Sequence, residues 1–326
     1  MILICFSVFD VPKHPSFTRA ARPIVLSATV ALIATSACAA SPGADNDDSA
    51  LTVAAAFYPL EYVAERVGGD LVSVSSLTPA GVEPHDVELS PAAVRQMGNA
   101  DLVLYIEAFQ PAVEDAIEAT GVHAFDATDV IDLAEGDTHA DDDHVDDNGS
   151  DGHDHGSADP HFWLDPTTLA RYATAVSEQF AALDPTNAAH YRSQAGTLVV
   201  ELTNLDDTFT AGLARCERRD IVTSHAAFGY LAHAYDLHQV SIAGIEPDTE
   251  PSPARLREIG QLIRDTGATT VFTEQLVSAR VAEAVAQDTG VTTAVLDPLE
   301  TAAAGDDYSS VMLRNLDALR EALNCD

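Results

Sequence analysis

The sequence predicts an α/β protein of two lobes, each with a mostly parallel sheet flanked by helices, joined by a long rigid linking helix. Short apolar runs of strand character alternate with amphipathic helical segments along most of the chain, which is typical of parallel βα units. One helical pattern over residues 185–214 interrupts this alternation and would span about 45 Å, more than one small lobe. With 326 residues, 46% of them hydrophobic, the chain has enough apolar material for two such lobes.

An export signal precedes the first predicted strand. Two arginines stand before an apolar run over residues 23–37, which is too short to cross a bilayer. The run ends in small residues before Cys38, a pattern typical of a bacterial lipobox, although Thr35 stands where leucine is usual. We therefore predict a signal peptide over 1–37, a lipid anchor on Cys38 and a linker over 38–50. Such a protein would be held on the outer face of the cell membrane; cleavage as an ordinary secretory signal is the alternative.

The N-terminal lobe is predicted over residues 51–165. Its strands are placed at 51–57, 71–77, 101–106 and 129–133, and its helices at 58–69, 90–99 and 111–120. Residues 135–159 break the alternation with ten acidic residues, four histidines and no basic residue. Because this segment has no apolar periodicity, we predict a disordered surface loop.

The linking helices are predicted over residues 166–215 and the C-terminal lobe over 216–326. The strands of this lobe are placed at 220–225, 238–242, 269–274 and 292–299, and its helices at 226–235, 252–266, 278–289 and 308–324. Cys216 and Cys325 lie near the two ends of the lobe. Because disulfides persist in exported proteins, we predict that these two cysteines form one.

The charge balance excludes some partners. Sixteen basic residues stand against 52 acidic ones, a formal net charge of −36. Nucleic-acid phosphates and anionic lipid headgroups repel such a chain, so we expect it neither to bind nucleic acid nor to dock on a membrane through basic residues. We expect a monomer.

Four polar residues lie at or near predicted strand ends, two in each lobe: His85, His161, His225 and Asp297. Ligands of open parallel sheets bind beyond the carboxyl ends of the strands, so the lobes would share one site in the cleft between them. Three imidazoles and a carboxylate suit tetrahedral Zn²⁺, whereas Mn²⁺ prefers more oxygen ligands. Taken singly, each of the four could equally be a loop, capping or turn residue.

Other acidic and histidine residues suggest supporting roles. Glu274 also ends a predicted strand, and we place it behind His225 as the acceptor that orients its ring, with direct ligation in place of Asp297 as the alternative. The acidic loop carries four histidines that would collect Zn²⁺ weakly. These are His139, His144, His153 and His155.

Several motifs together resemble a known family. The segments are GVEPHDVELSP with His85, DPHFWLDP with His161, VTSHAAFGYLAHAY with His225, and VFTEQ followed by AVLDPL with Asp297. They are similar to the zinc-binding solute-binding lipoproteins of bacterial metal ABC importers, the cluster A-I or ZnuA-like group. The likeness covers nearly all of the chain from Leu51 onward, and the motifs are specific in combination rather than singly.

The resemblance implies one metal in the cleft between two lobes, delivered to an ABC-type permease for zinc. It implies the same four ligands, and a histidine at 225, where manganese-type relatives often carry glutamate, favours zinc. Some members have glutamate where this chain has Pro84, which places more weight on Asp297 or water as the fourth ligand. The alternatives are a manganese or iron carrier of the same fold, a metal-dependent adhesin, and a secreted zinc hydrolase. The chain has no HExxH or GxSxG motif, and we expect no enzyme activity.

Overall fold

Two four-stranded parallel sheets organise the chain in a computed structural model that describes residues 50–135, 158–301 and 305–326. The strands are β1 (Leu51–Ala55), β2 (Val72–Ser76), β3 (Leu102–Tyr105), β4 (Ala124–Asp126), β5 (Ala134–Glu135), β6 (Ala158–Asp159), β7 (Asp220–Thr223), β8 (His238–Ser241), β9 (Thr270–Thr273) and β10 (Thr292–Val295). The helices are α1 (Tyr58–Gly68), α2 (Pro91–Met97), α3 (Pro111–Thr120), α4 (Pro166–Leu183), α5 (Ala188–Leu213), α6 (Gly229–Ala234), α7 (Pro253–Thr266), α8 (Arg280–Thr289) and α9 (Tyr308–Leu323). The predicted α/β class with two parallel sheets is confirmed.

The two sheets share one topology. The first has the order β2-β1-β3-β4 and the second the order β8-β7-β9-β10, so each lobe places its second strand outside its first. All of these pairings are parallel, as βα repeats require. The carboxyl ends of the strands in each lobe therefore meet at one edge of its sheet.

The long helix is present and somewhat shorter than predicted. Asp184 and Pro185 form a 3-10 turn, with the Asp184 carboxylate accepting from the Asn187 amide at 3.3 Å, and α5 begins only at Ala188. Its 26 residues extend about 39 Å. Its buried face packs against α4, against α1 of the first lobe and against α9 of the second. This face comprises Tyr191, Ala195, Leu198, Leu202, Leu205, Phe209 and Leu213.

One apolar core runs through both lobes by way of these helices. It joins β1 and β3 of the first sheet to Leu202 and Phe209 of α5 and to Leu316 of α9. A smaller core lies under α7 and α8, on the outer side of the second sheet. A bond between Cys216 and Cys325, predicted above, ties the end of the chain to the start of the second lobe. No helix among the described residues is long and apolar enough to span a bilayer.

Two predictions near the acidic loop need correction. The strand placed at 129–133 lies earlier, as β4, because the Asp126 carboxylate accepts from the Thr128 amide at 2.9 Å and turns the chain into a 3-10 helix. The ends of the predicted disordered loop 135–159 are ordered. Glu135 pairs with Ala158, and Ala134 with Asp159, as an antiparallel ladder. Residues 136–157 lie outside the described residues.

Candidate metal centre

The loop after β2 is braced so that His85 faces the cleft. The Gln110 amide at the start of α3 donates to Thr78 Oγ1 and to the Pro84 carbonyl, both at 3.0 Å. The Glu83 carboxylate folds back under the loop and accepts from the amide of His85 at 3.1 Å. These bonds fix the backbone that leads into His85, whose side chain is buried.

The other two histidines are held by short-range bonds at the ends of their strands. The amide of His161 donates to Asp159 Oδ1 at 2.9 Å, directly after β6. His225 lies two residues beyond β7, and its carbonyl accepts from Thr223 Oγ1 at 2.7 Å. Both rings are fully buried. His225 lies just beyond its predicted strand, whereas His161 follows β6, a short strand that the sequence did not predict.

The three rings converge on one oxygen of Glu300. The distances from Glu300 Oε1 to Nε2 are 3.2 Å for His161, 3.4 Å for His85 and 3.6 Å for His225. One ligand atom of each of the four residues lies within 4.8 Å of every other, and all four residues are buried. Zn²⁺ with ligands at 2.0–2.1 Å would separate tetrahedral ligand atoms by roughly 3.3 Å, which matches the observed distances. The four side chains thus form a buried set that could hold a metal ion.

A carboxylate lies behind each imidazole. His161 Nδ1 is 2.7 Å from Asp159 Oδ1, and His225 Nδ1 is 2.7 Å from Glu274 Oε2. His85 Nδ1 is 3.5 Å from Glu246 Oε2. Of these contacts, the one between His161 and Asp159 has the geometry of a hydrogen bond, and such a partner holds the proton on Nδ1 and directs Nε2 toward a metal. The other two are close charge contacts. The contact between Glu274 and His225 is the one that the sequence suggested; the other two were not foreseen.

The electrostatics of the four buried groups are strongly coupled. Burial alone would lower the pKa of His85, but the carboxylates of Glu246, Glu300 and Glu83 raise it to about 9. Burial acts the same way on His225, and Glu274 and Glu300 raise its pKa to about 10. Burial opposes ionisation of Glu300, yet the three imidazoles hold its pKa well below the usual range. Near neutral pH these shifts favour an anionic Glu300 and protonated His85 and His225, whose protons a bound cation would displace.

The ligand set predicted from the sequence is corrected at one position. The structure brings His85, His161 and His225 together with Glu300, not with Asp297. Asp297 Oδ1 accepts from the amide of Leu299 at 2.8 Å, and Oδ2 accepts from Gln275 at 2.8 Å. Leu299 has a φ of 60°, an uncommon backbone conformation for leucine that this Asp297 bond supports. Asp297 therefore stabilises the turn that carries Glu300 into the cleft.

Other bonds hold this turn against the first lobe. The Trp163 indole donates to the Pro298 carbonyl at 2.7 Å, and the Trp163 carbonyl accepts from Tyr308 at 2.7 Å. The Trp163 ring centroid lies 5.1 Å from that of His161. Cys38 and the loop histidines (His139, His144, His153 and His155) lie outside the described residues.

Comparisons with known proteins agree with this geometry. A family model described as "Zinc-uptake complex component A periplasmic" (ZnuA) matches residues 53–322. The high-affinity zinc uptake system protein ZnuA of Bacillus subtilis is 32% identical over 309 residues, covering 92% of this chain and 96% of the relative.

Two further matches come from Streptococcus pneumoniae. The zinc-binding lipoprotein AdcA is 34% identical over 283 residues, 84% of this chain. This chain spans only 56% of that relative's length. The crystal structure of Zn(II)-bound AdcA superposes with a TM-score of 0.70 at 31% identity, covering 85% of this chain and 59% of the other.

Proposed function

Because the chain belongs to the ZnuA family of zinc-uptake components, we propose that it binds Zn²⁺ in the cleft and delivers it to an ABC-type permease. The observation that carries this proposal is the convergence of three Nε2 atoms on Glu300 Oε1 at 3.2–3.6 Å, in a fully buried site. Zinc accepts this mixed nitrogen and oxygen set readily, whereas Mn²⁺ favours more oxygen. Zn²⁺ is the cargo of the protein in this proposal.

A full protein shell favours carriage over catalysis. Catalytic zinc sites keep one position open for water, whereas the four side chains of this cluster would fill a tetrahedral shell. We therefore assign no enzyme activity. His85 and His161 come from the first lobe, and His225 and Glu300 from the second. The metal would therefore bridge the two lobes, with two ligands from each.

The export segment supports an extracytoplasmic location. We infer that the signal peptide over 1–37 is removed and that Cys38 is acylated, anchoring a monomer to the outer face of the membrane. Replacing Cys38 with alanine should release the protein into the medium, and mass spectrometry of the wild type should show an acylated N-terminus. An unmodified N-terminus on the membrane-bound wild type would contradict the anchor.

Zinc titration of the chain after Cys38 tests the binding proposal. We expect one tight site, reported by the fluorescence of Trp163 beside His161, and loss of that site in His225→Ala. His233→Ala is the matched control, because this histidine lies on α6 of the same lobe and outside the ligand cluster. Competition with Mn²⁺ should leave Zn²⁺ bound. No tight site in the wild type, or unchanged binding in His225→Ala, would refute the assignment.

The acidic loop is proposed as an accessory collector. Removing residues 136–157 should leave the equilibrium affinity intact, because no residue of the cleft set lies in it, and should slow zinc capture at low free zinc. Glu135 and Ala158 are paired neighbours, so a short turn can replace the deleted residues. Loss of tight binding in this variant would place the metal in the loop instead.

A further inference from the structure

One buried polar side chain interrupts the apolar face of α9. The buried face of this helix consists mainly of apolar residues such as Val311, Met312 and Leu316. Asn315 lies among them and is only 2% exposed. Asparagine is a weak helix former, and burying its amide is costly unless the amide finds hydrogen-bond partners. The presence of Asn315 on this face therefore calls for an explanation.

The side chain of Asn315 forms two hydrogen bonds with the backbone of Asp297. Its Oδ1 accepts from the Asp297 amide at 2.9 Å, and its Nδ2 donates to the Asp297 carbonyl at 2.7 Å. Asparagine can do both because its amide carries a donor and an acceptor side by side. Asp297 lies two residues beyond the end of β10, so these bonds hold the chain where strand pairing has stopped.

Asp297 passes this restraint on to Glu300. The Asp297 carboxylate accepts from the amide of Leu299 at 2.8 Å, and Leu299 is buried with a φ of 60°. Glu300 is the next residue, and its Oε1 lies 3.2–3.6 Å from the Nε2 atoms of the three histidines. A short stretch of restrained backbone thus connects the two bonds of Asn315 to the proposed fourth ligand.

The helix that carries Asn315 is itself held in place. The neighbouring Leu316 packs against α5 at Gly212, where an added Cβ would lie 3.1 Å from Leu316 Cδ1. Beyond the C-terminal end of α9, Cys325 is bonded to Cys216. Asn315 therefore projects from a fixed base, and its two bonds tie the turn that carries Glu300 to this base.

We propose that Asn315 is a positioning residue for zinc, which sets the carboxylate of Glu300 against the three imidazoles without contacting the ion. This inference rests on the proposed zinc-binding function and adds the residue that maintains the fourth ligand. Without the two bonds, the turn would shift more readily and the ion would lose its anionic ligand more often. Asn315 should therefore slow the dissociation of zinc and leave its capture by the histidines almost unchanged.

Asn315→Ala tests this role. Losing an outer partner of a metal ligand typically costs about 10–100-fold in metal affinity. Asn315 acts through the backbone, so we expect the lower end, about 10-fold, in competition against a zinc chelator. A chase with excess chelator should show this loss as faster dissociation. Asn315→Asp keeps the side-chain shape and the acceptor for the Asp297 amide but loses the donor, so it should also weaken binding, and it serves if the alanine variant does not fold. Melting temperatures of the metal-free variants show which of them fold.

A double-mutant cycle with Glu300→Ala separates positioning from a general structural role. If Asn315 acts through Glu300, its replacement should cost nothing once the Glu300 side chain is absent. The Asn315→Ala/Glu300→Ala variant should therefore bind zinc within about two-fold of Glu300→Ala alone. Ser310→Ala is the matched control, because it removes two bonds in the first turn of the same helix, to the amide and the carbonyl of Asp307. We expect wild-type zinc affinity in this control.

Three outcomes would overturn the role of Asn315. Wild-type affinity and dissociation rate in the folded Asn315 variants would mean that the turn keeps its position without the two bonds. Equal losses with and without the Glu300 side chain would mean that Asn315 supports the fold and not the ligand. An equal loss in Ser310→Ala would mean that any weakening of α9 has this effect. Failure of the zinc-binding proposal is a separate result, since it shows as absent or His225-independent binding in the wild type.

Discussion

Replacing Glu300 with glutamine tests the corrected ligand set. The change keeps the shape of the side chain and one oxygen, but removes the negative charge on which three imidazoles converge at 3.2–3.6 Å. Two consequences oppose each other. Zinc loses an anionic ligand, which weakens binding, while His85 and His225 lose a carboxylate that raises their pKa, which weakens the competition from protons.

The size of each effect follows from the site. With pKa values of about 9 and about 10 for His85 and His225, protons lower the apparent zinc affinity of the wild type at pH 7.5 by about four orders of magnitude. Part of this penalty disappears in the variant. Loss of a side chain that hydrogen-bonds a metal ligand typically costs about 10–100-fold in metal affinity. Removing the charge of Glu300, a ligand itself, should therefore cost at least about 100-fold at a pH where protons no longer compete. The deficit of Glu300→Gln should therefore grow from pH 7 to pH 9.

Competition titrations against a zinc chelator at pH 7 and pH 9 measure this difference, with free zinc buffered at both values. Asp297→Asn is the control, because an asparagine oxygen still accepts the Leu299 amide bond that forms the turn. We expect this control to change the affinity by no more than a few-fold. An equal deficit of Glu300→Gln at both pH values, or a larger loss in Asp297→Asn, would refute the assignment of Glu300 as the ligand.

Three further predictions concern the groups around the ligands. The raised pKa values of His85 and His225 keep both rings protonated when no metal is bound, so zinc affinity should rise with pH up to about 10. About two protons should be released per zinc at pH 7.5, which calorimetry in buffers of different ionisation heat measures. A zinc affinity that stays flat from pH 7 to pH 9 would contradict this prediction. Glu246→Gln should weaken zinc binding about 10-fold at pH 9 and by less at pH 7.5, because Glu246 also raises the pKa of His85 and its loss weakens the competition from protons; Asp248→Asn in the same loop should have no effect, as chelator competition would show. Gly229→Ala should weaken zinc binding about 10-fold, because the added Cβ would lie 2.7 Å from Asp159 Oδ2, the carboxylate that contacts the His161 ring. An affinity equal to that of the wild type would show that Asp159 is not needed for zinc binding.

Periodicity pointed to His225 because it follows a strand whose end meets its neighbours by topology, whereas His85 lies in a loop beyond β2 and His161 follows β6, which is outside both parallel sheets. His225 lies two residues after β7, and parallel pairing forces the neighbouring strand ends to the same edge. The same reasoning led to Asp297, which does follow β10. It missed Glu300, three residues further along, because the intervening turn depends on Leu299 at a φ of 60°. Apolar patterns do not encode that conformation, which tertiary packing imposes on a buried side chain.

The carboxylates behind the rings show the same limit. Glu274 could be inferred because it ends β9, the strand next to β7. Glu246 lies on a loop of the second lobe but reaches a histidine of the first, a contact that depends on how the lobes pack. Asp159 lies in the segment that its acidic composition predicts to be disordered. In the structure it belongs to β6, where it pairs with Ala134, and its carboxylate contacts the buried ring of His161. Composition describes an average over a segment and hides a single ordered residue at its end.

The site and the scaffold together restrict how zinc can leave. In the proposed site four buried protein ligands would hold the ion, so release would require at least one of them to withdraw. The continuous core through α4, α5 and α9 opposes a wide separation of the lobes, because opening it would expose large apolar side chains such as Phe209 and Leu316. The turn that carries Glu300 lies outside any helix or strand and is held by bonds to Trp163, Asn315 and Gly81 and by the buried side chain of Leu299. A shift of this turn would break a few of these bonds, whereas a wide separation of the lobes would open the whole core, so we expect release to begin at the turn and not at a hinge.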